Sequence, residues 1–455
     1  MENDAIVALS TPPGESGIAV VRISGSSAVR ILDAMAPGAQ LAPSRTLSLV
    51  TLSDGSGEPI DEALVAVMRA PASYTGEDMV EISCHGSMQV VSDLIGEIVR
   101  LGARLATPGE FTKRAFLNGK LDLAQAEAVV DLISAETKLQ RKVALEQLGG
   151  ALSRKVRALE EVLLGELALI EASIDFSEED LPGYSPRDTL EAARKARTAI
   201  AALLESEIAG ERLRRGIRVT ILGGPNVGKS SLYNTLLGEE RAIVSPIAGT
   251  TRDILRERIH VGGFTCRLED TAGIAQTRCE IEAKGIEIAR AAALEADIVL
   301  FVVDGSDEIT NETRNEISRI DPDKLLCVLN KSDLEPRYSR DDACERLGAR
   351  DMIAVSALKR EGLESLRAWI FDKTVKRSAG DLDRERIAVN ARQAAALREA
   401  DEALDRLSAA IEIGAHAEIL SVETRCALDA LGAITGRSMS EALLETIFAK
   451  FCIGK

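Results

Sequence analysis

Gly223-Gly224-Pro225-Asn226-Val227-Gly228-Lys229-Ser230 follows the apolar run Val219 to Leu222 and precedes the helix-forming Ser231-Leu232-Tyr233-Asn234-Thr235-Leu236-Leu237. A strand, a glycine-rich turn ending in Lys-Ser and a helix make the context of a phosphate-binding loop. The glycines let backbone N–H groups approach phosphate oxygens, and the helix N-terminus adds positive partial charge. Lys229 reaches the β and γ phosphates in this reading, and Ser230 is a Mg2+ ligand. Working outward, strand-length apolar runs at Ile217 to Leu222, Ile298 to Val303 and Leu325 to Leu329 are spaced by helix-length segments. That spacing predicts a parallel sheet with crossovers.

Further motifs follow in order. Asp270-Thr271-Ala272-Gly273 places a carboxylate near the Mg2+ shell and the Gly273 N–H near the γ-phosphate. Gly249-Thr250-Thr251-Arg252-Asp253 has the character of a switch loop, with the Thr251 hydroxyl as a second Mg2+ ligand. Asn330-Lys331-Ser332-Asp333 comes directly after an apolar strand, where the Asp333 carboxylate accepts two hydrogen bonds from guanine, a pair that adenine does not offer. Ser356-Ala357-Leu358, after the strand-like Met352 to Val355, closes the base pocket through a backbone amide. The five elements in this order read as one GTP site.

The residue after Gly273 is Ile274, where Ras-like enzymes carry a water-orienting glutamine. An apolar side chain cannot hold water, so another group must. Glu282 is the candidate, with Glu280 alongside; a solvated helix-face carboxylate is the competing explanation. Charge between the β and γ phosphates needs a cation: Arg252, Arg256 or a monovalent ion held by the Asn226 amide oxygen. Asn226 equally suits a role in shaping the loop.

The regions around this domain differ in texture. The first ~115 residues alternate short β runs (Ile6 to Leu9, Ile18 to Ile23, Leu47 to Leu52, Leu64 to Met68, Met79 to Ile82) with helices near Ser26 to Met35 and Met88 to Leu101, an α+β pattern. From Leu121 the chain turns helical, with a break at Gly149-Gly150, and it is helical again after about Val375. The expected fold is multidomain: an N-terminal α+β domain (1–118), a helical domain in two parts (119–215 and 376–455), and an α/β P-loop domain (216–375) inserted between them.

With 455 residues, 45% hydrophobic and 28% charged, the chain suits a multidomain soluble protein. No apolar run approaches a bilayer span, and the acidic start is unlike a signal peptide, so the expected location is the cytoplasm with no membrane partner. A net charge of -17 argues against non-specific coating of nucleic acid but leaves room for a local basic patch. Seven cysteines without a C-x-x-C pair and three scattered histidines indicate neither disulfides nor zinc.

Taken together, the P-loop, Gly249 to Asp253, the stretch Pro108-Gly109-Glu110-Phe111-Thr112-Lys113-Arg114-Ala115-Phe116-Leu117-Asn118-Gly119-Lys120 and the closing Phe451-Cys452-Ile453-Gly454-Lys455 resemble the MnmE (TrmE) family of tRNA-modification GTPases. The resemblance spans all three regions, and the last two stretches are its most diagnostic marks. It implies that the N-terminal domain is folate-binding and dimerising. A homodimer would act with an FAD-containing partner of the MnmG type, in a heterotetramer or larger complex, on tRNA. GTP hydrolysis would accompany addition of an aminomethyl or carboxymethylaminomethyl group at C5 of the wobble uridine, with methylene- or formyl-tetrahydrofolate supplying the carbon. The implied nucleotide positions are Asn226, Val227, Gly228, Lys229, Ser230 and Ser231, the run Ser245-Pro246-Ile247-Ala248-Gly249-Thr250-Thr251, Asp270 to Gly273, Asn330, Lys331, Asp333, and Ser356 to Leu358. Potassium would be held by Asn226, Ser245, Ile247 and Thr250 in place of an arginine finger. Glu282 and Lys229 would be catalytic, Cys452 would be the functionally important cysteine, and Arg22, Glu81, Lys120 and Lys455 would contact folate. From the residues alone, Arg22 and Lys120 also suit solvated surface positions, and Cys452 a structural thiol. A regulatory GTPase in ribosome assembly or at membranes fits the nucleotide motifs equally, but requires neither the N-terminal domain nor the closing tetrapeptide.

Overall fold

The computed structural model describes residues 4–39, 43–175, 185–238, 256–270, 291–374 and 387–454. By packing, the chain forms two compact units, one of Met1–Val130, Leu148–Ala193 and Glu399–Lys455, the other of Asp131–Gln147 and Arg194–Arg398.

In the first unit, strands β1 (Ala5–Leu9) and β2 (Ser16–Ser24), helix α1 (Ala28–Met35), strands β3 (Leu47–Ser53), β4 (Pro59–Met68) and β5 (Met79–Gly86), helix α2 (Met88–Arg100), strand β6 (Ala103–Leu105) and helix α3 (Glu110–Leu117) follow in chain order. The strands form one sheet in the order β3-β4-β5-β2-β1-β6, with only the β1–β6 pair parallel. Alternation sends Ala19, Val21 and Ile23 of β2, and Ala63, Val65 and Val67 of β4, into one core. Val29, Leu32 and Met35 of α1 and Val91, Leu94 and Ile98 of α2 cover that face at helical spacing. Period two then puts Arg22 on the opposite face, in register with Glu81.

The helical stretch after Leu121 divides into α4 (Leu123–Ile133), α5 (Lys138–Leu148) and α6 (Ala151–Asp175), then α7 (Pro186–Glu205) and α8 (Glu207–Arg215). The break at Gly149-Gly150 falls where the sequence suggests, with Gly150 at φ +81°. A second break, at 134–137, carries no glycine or proline. There Thr137 and Gln140 form a reciprocal cap: the Gln140 N–H donates to Thr137 Oγ1 at 3.1 Å, and the Thr137 N–H to Gln140 Oε1 at 2.8 Å.

The second sheet contains β7 (Ile217–Leu222), followed by α9 (Lys229–Gly238), β8 (Arg256–Val261), β9 (Phe264–Asp270), β10 (Ile298–Asp304), α10 (Asn311–Ile317), β11 (Leu325–Asn330), α11 (Arg340–Leu347), β12 (Met352–Ala354) and α12 (Leu363–Thr374). Its order is β12-β11-β10-β7-β9-β8. Alternation in β10 and β11 divides their apolar residues between two cores, Leu300, Val302, Leu326 and Val328 in one and Val299, Phe301, Val303 and Leu329 in the other. Both faces are covered, which is why these strands read as unbroken apolar runs. The sheet departs from the all-parallel expectation at β8–β9, an antiparallel hairpin turned by Gly262 and Gly263 at φ +58° and +87°. Arg256-Glu257-Arg258 disguises β8 as loop, whereas a Gly-Gly pair between alternating runs is itself a hairpin signal.

Three helices end the chain: α13 (Ala391–Glu412), α14 (Ala417–Thr435) and α15 (Glu441–Phe448). In the first unit α14 packs along α6, and Leu444, Phe448 and Phe451 share a core with Leu123 and Ala126.

Candidate functional site

β7 has β10 on one side and β9 on the other, so the loop that leaves its C-terminal end lies where the strand order reverses, the usual place for a ligand in such sheets. Gly223 takes φ +139°, and a Cβ there would lie 2.2 Å from the Val302 carbonyl oxygen. Gly228 takes φ +96°, and a Cβ there would lie 2.2 Å from Asn330 Nδ2. Only glycine fits these two positions, and the result is a loop free of Cβ atoms at its turns. Asn226, between them, is left-handed at φ +59°, a conformation asparagine tolerates better than most residues. Lys229 Nζ donates to the carbonyls of Gly223 at 2.9 Å and Gly224 at 2.6 Å, so the ammonium is folded over the loop.

Asn330 is 2% exposed and joins two loops. Its Nδ2 donates to the Val227 carbonyl at 2.9 Å, and its Oδ1 accepts from the Ala357 N–H at 3.1 Å. The phosphate loop and the segment Ser356-Ala357-Leu358 are thereby held in one arrangement. Thr235 Oγ1 of α9 adds a bond to the Ala357 carbonyl at 3.0 Å. Beside them the fully buried Ser356 hydroxyl donates to Asp333 Oδ1 at 2.5 Å, and that bond holds the carboxyl below the usual aspartate range. Lys331, left-handed at φ +63°, sets its Nζ 2.5 Å from Asp304 Oδ2. Burial raises the Asp304 carboxyl, but the Lys331 ammonium and the Ser306 hydroxyl outweigh it and keep the group ionised. Leu358 is 84% exposed. Asp304 and Ser306 escaped the sequence reading, although an acidic residue closing an apolar strand beside Asn330 was a usable signal.

A second cluster lies on the other face of the first sheet, beside the smaller core of Ile6, Ala8 and Phe111. Arg22 Nε donates to Glu81 Oε1 at 2.7 Å, and Arg22 Nη1 to the Gly454 carbonyl at 3.3 Å. The Arg22 guanidinium stands 5.9 Å from the Tyr74 ring centre, and Tyr74 is hydrogen bonded to Thr112 at 3.0 Å. The tail is seated on the N-terminal strands: Ser10 Oγ donates to the Gly454 carbonyl at 3.2 Å, and the Gly109 N–H to the Cys452 carbonyl at 3.3 Å. Gly454, at φ +87°, leaves no room for a Cβ, which would stand 2.3 Å from the Leu9 carbonyl. Cys452 itself is exposed. Lys120 donates from Nζ to the Pro71 carbonyl at 3.0 Å, and Asn118 from Nδ2 to the Thr75 carbonyl at 2.8 Å.

A partly buried ionic network underlies this cluster. Arg114 donates to Asp4 Oδ1 at 2.8 Å, to Glu110 Oε1 at 3.0 Å and to Glu77 Oε2 at 3.1 Å. Arg104 holds Glu110 through two bonds of 2.6 and 2.8 Å and also pairs with Asp4. Burial raises the Glu110 carboxyl, yet the bonds from Arg104, the Thr107 N–H and Arg114 outweigh it and bring it to about 2.

Comparison with known proteins gives the two diagnostic stretches a family. The MnmE helical domain matches residues 123–452, and the N-terminus of the GTP-binding protein TrmE matches residues 5–120. The tRNA modification GTPase MnmE of Aquifex aeolicus is 43% identical over 453 residues, covering 99% of this chain and 100% of that one. Its counterpart in Moorella thermoacetica is 44% identical with both chains fully covered. This chain belongs to the MnmE family of tRNA modification GTPases.

Of the positions that MnmE membership draws attention to, Asn226 to Ser231, Asn330, Lys331, Asp333 and Ser356 to Leu358 all lie on loops and termini at one end of the second sheet. Arg22 meets both Glu81 and the tail, whereas Lys120 is held on the loop at 71–76. The backbone of Asp270 closes β9. Ser245 to Thr251, Arg252, Thr271 to Gly273, Ile274, Glu280, Glu282 and Lys455 lie outside the described residues. Tyr74, beside Arg22 and bonded to Thr112, is a residue of this cluster that sequence reasoning did not single out. Among the described residues no helix is long and apolar enough to cross a membrane.

Proposed function

We propose that this chain hydrolyses GTP in the cytoplasm as a homodimer and, with an FAD-containing partner of the MnmG type, adds an aminomethyl or carboxymethylaminomethyl group at C5 of the wobble uridine of certain tRNAs. The observation that carries the reading is full-length membership of the MnmE family together with a guanine-type loop pair joined through Asn330. In this proposal residues 1–118 form the folate-binding and dimerising domain, 216–375 the G domain, and 119–215 with 376–455 the helical domain.

The phosphate cradle fits its ligand because Gly223 and Gly228 have no space for a side chain and the Lys229 ammonium already sits over the loop. Lys229 would exchange carbonyls for β- and γ-phosphate oxygens, while Asp333 would accept both donors of the guanine edge. Ser230 and Thr251 would hold Mg2+. Asn226, with Ser245, Ile247 and Thr250, would hold K+, which supplies the positive charge between the β and γ phosphates. Glu282 would orient the attacking water in place of the glutamine that Ile274 displaces.

In the first unit, Arg22 and Glu81 offer a half-buried cation and carboxylate beside the Tyr74 ring, a set of groups suited to the pterin and carboxylate groups of a folate. Lys120 and Lys455 would complete it, and the bound folate supplies the one-carbon unit. Cys452 would face this chemistry from the tail.

Mass analysis of wobble uridines in tRNA from cells lacking the gene tests the function. The expected result is loss of the aminomethyl-type nucleosides, restored by the intact gene. Unchanged nucleosides would leave only a regulatory GTPase.

A further inference from the structure

Segment Asp131–Gln147 packs in the unit that carries the nucleotide loop, although the residues on both sides of it, Val130 and Leu148, belong to the other unit. Its helix α5 is held there from two directions. On α8 and on the stretch just before α13, Gln140 Nε2 donates to the Leu213 carbonyl at 2.6 Å, and Gln147 Nε2 to the Ala388 carbonyl at 3.0 Å. Val143, 2% exposed, enters the same core as Leu213, Ile217 and Phe264. On the β8–β9 hairpin, Glu136 takes hold of both strands: it pairs with Arg258 of β8 and accepts from Thr265 Oγ1 of β9 at 3.1 Å. Leu139 lies over the turn, with its Cβ 3.1 Å from where a Gly263 side chain would begin.

That hairpin is the direct continuation of two nucleotide motifs. β8 begins at Arg256, shortly after Gly249 to Asp253, and β9 ends at Asp270, the first residue of the Asp270 to Gly273 motif. A displacement of either motif is therefore passed along the backbone to the two strands that Glu136 and Leu139 grip. The joint under α5 is not fully packed: a cavity of about 30 Å³ lies between Gln140, Gln147, Asp131, Leu213 and Arg214, room for about one water among polar groups. Space of this size at the joint leaves room for a small shift of α5 against α8.

We infer that α5 is the output lever of the nucleotide site, coupling the β8–β9 hairpin through Glu136 and Leu139 to the two chain segments that leave for the other unit. The inference rests on the proposed GTPase reading. Coupling of this kind is reciprocal, so the nucleotide must change α5, and α5 must change nucleotide preference. Both halves are measurable on the full chain.

Amide exchange of residues 138–147 is compared in GDP and in a non-hydrolysable GTP analogue; a difference of about fivefold or more is expected. The ratio of the two nucleotide affinities is then compared in the unaltered chain, Glu136→Ala, Glu136→Gln and Leu139→Ala. A change of about three- to tenfold in that ratio is expected for the alanine variants, and a smaller one of the same sign for Glu136→Gln, which retains an acceptor for Thr265. Should Glu136→Ala not fold, Glu136→Gln and Leu139→Ala decide the matter. Equal exchange in the two states, with ratios unchanged within about twofold, overturns the lever. Failure of the unaltered chain to bind guanine nucleotide at all would instead overturn the GTPase reading, and the lever with it.

Discussion

Asn330 uses both ends of its amide inside the protein, one on Val227 and the other on Ala357, so neither loop can move independently of the other. Removing it leaves a carbonyl and an N–H unpaired in a buried setting. Asn330→Ala is expected to cost the nucleotide unit about 1–3 kcal/mol and to weaken GTP binding, as read by thermal unfolding and by titration with a fluorescent nucleotide. Asp333 has a different task. Its carboxylate is held ionised by Ser356 and waits for two donors. Asp333→Asn should lower GTP affinity by about 100-fold or more while improving affinity for xanthosine triphosphate, whose C2 carbonyl suits an amide donor. An unchanged GTP affinity would show that the base does not contact this residue. The identities and order of these side chains were legible in the sequence because a strand, a short loop and a fixed motif place them. The Asn330 bridge was not, since it joins residues about a hundred positions apart.

At the level of elements, α3 shows how one short helix organises the second face of the first sheet, which its Phe111 covers at Ile6 and Ala8. Its first residue, Glu110, binds Arg104, Arg114 and Thr107, and Arg114 reaches on to Asp4 and Glu77. Glu110 has a depressed folded-state carboxyl at about 2, below its unfolded value of roughly 4.3. Its stabilising contribution is thus fully present above the unfolded value and is lost as pH falls toward 2. The protection of α3 amides in the natural chain over Glu110→Gln should stay constant from about pH 8 to 5 and shrink only below about pH 4.5. A difference that instead changed between pH 6 and 8 would assign the effect to another group. The sequence displayed Pro108 to Lys120 as a distinctive stretch without showing why. The reason is tertiary: Gly109 must pass within 2.6 Å of the Phe448 carbonyl, measured from where its Cβ would lie, and Arg114 must meet the chain start. The β8–β9 hairpin was hidden for the opposite cause, because an edge strand with a wet face carries charges that resemble a loop.

For the whole molecule, the proposed homodimer would let the G domains of two chains meet over their potassium sites, which would make turnover a property of two chains. GTP hydrolysis should run about tenfold or more faster in K+ than in Na+, with a shift to paired G domains in the presence of a transition-state mimic, and Asn226→Ala should remove the difference. Equal rates in the two salts, with Asn226→Ala harmless, would sink the proposal. By itself the sequence determined the class of chemistry, because a phosphate loop, a guanine motif and strand periodicity depend on local geometry that a few neighbouring residues impose. It determined the family as well, through stretches at 108–120 and 451–455 that lie more than three hundred residues apart. Only the tertiary structure decided that these two stretches touch, that the tail carbonyl of Gly454 meets Arg22, and that residues 131–147 side with the nucleotide sheet. Those outcomes depend on burial and hydrogen bonds between distant segments, which no local pattern encodes.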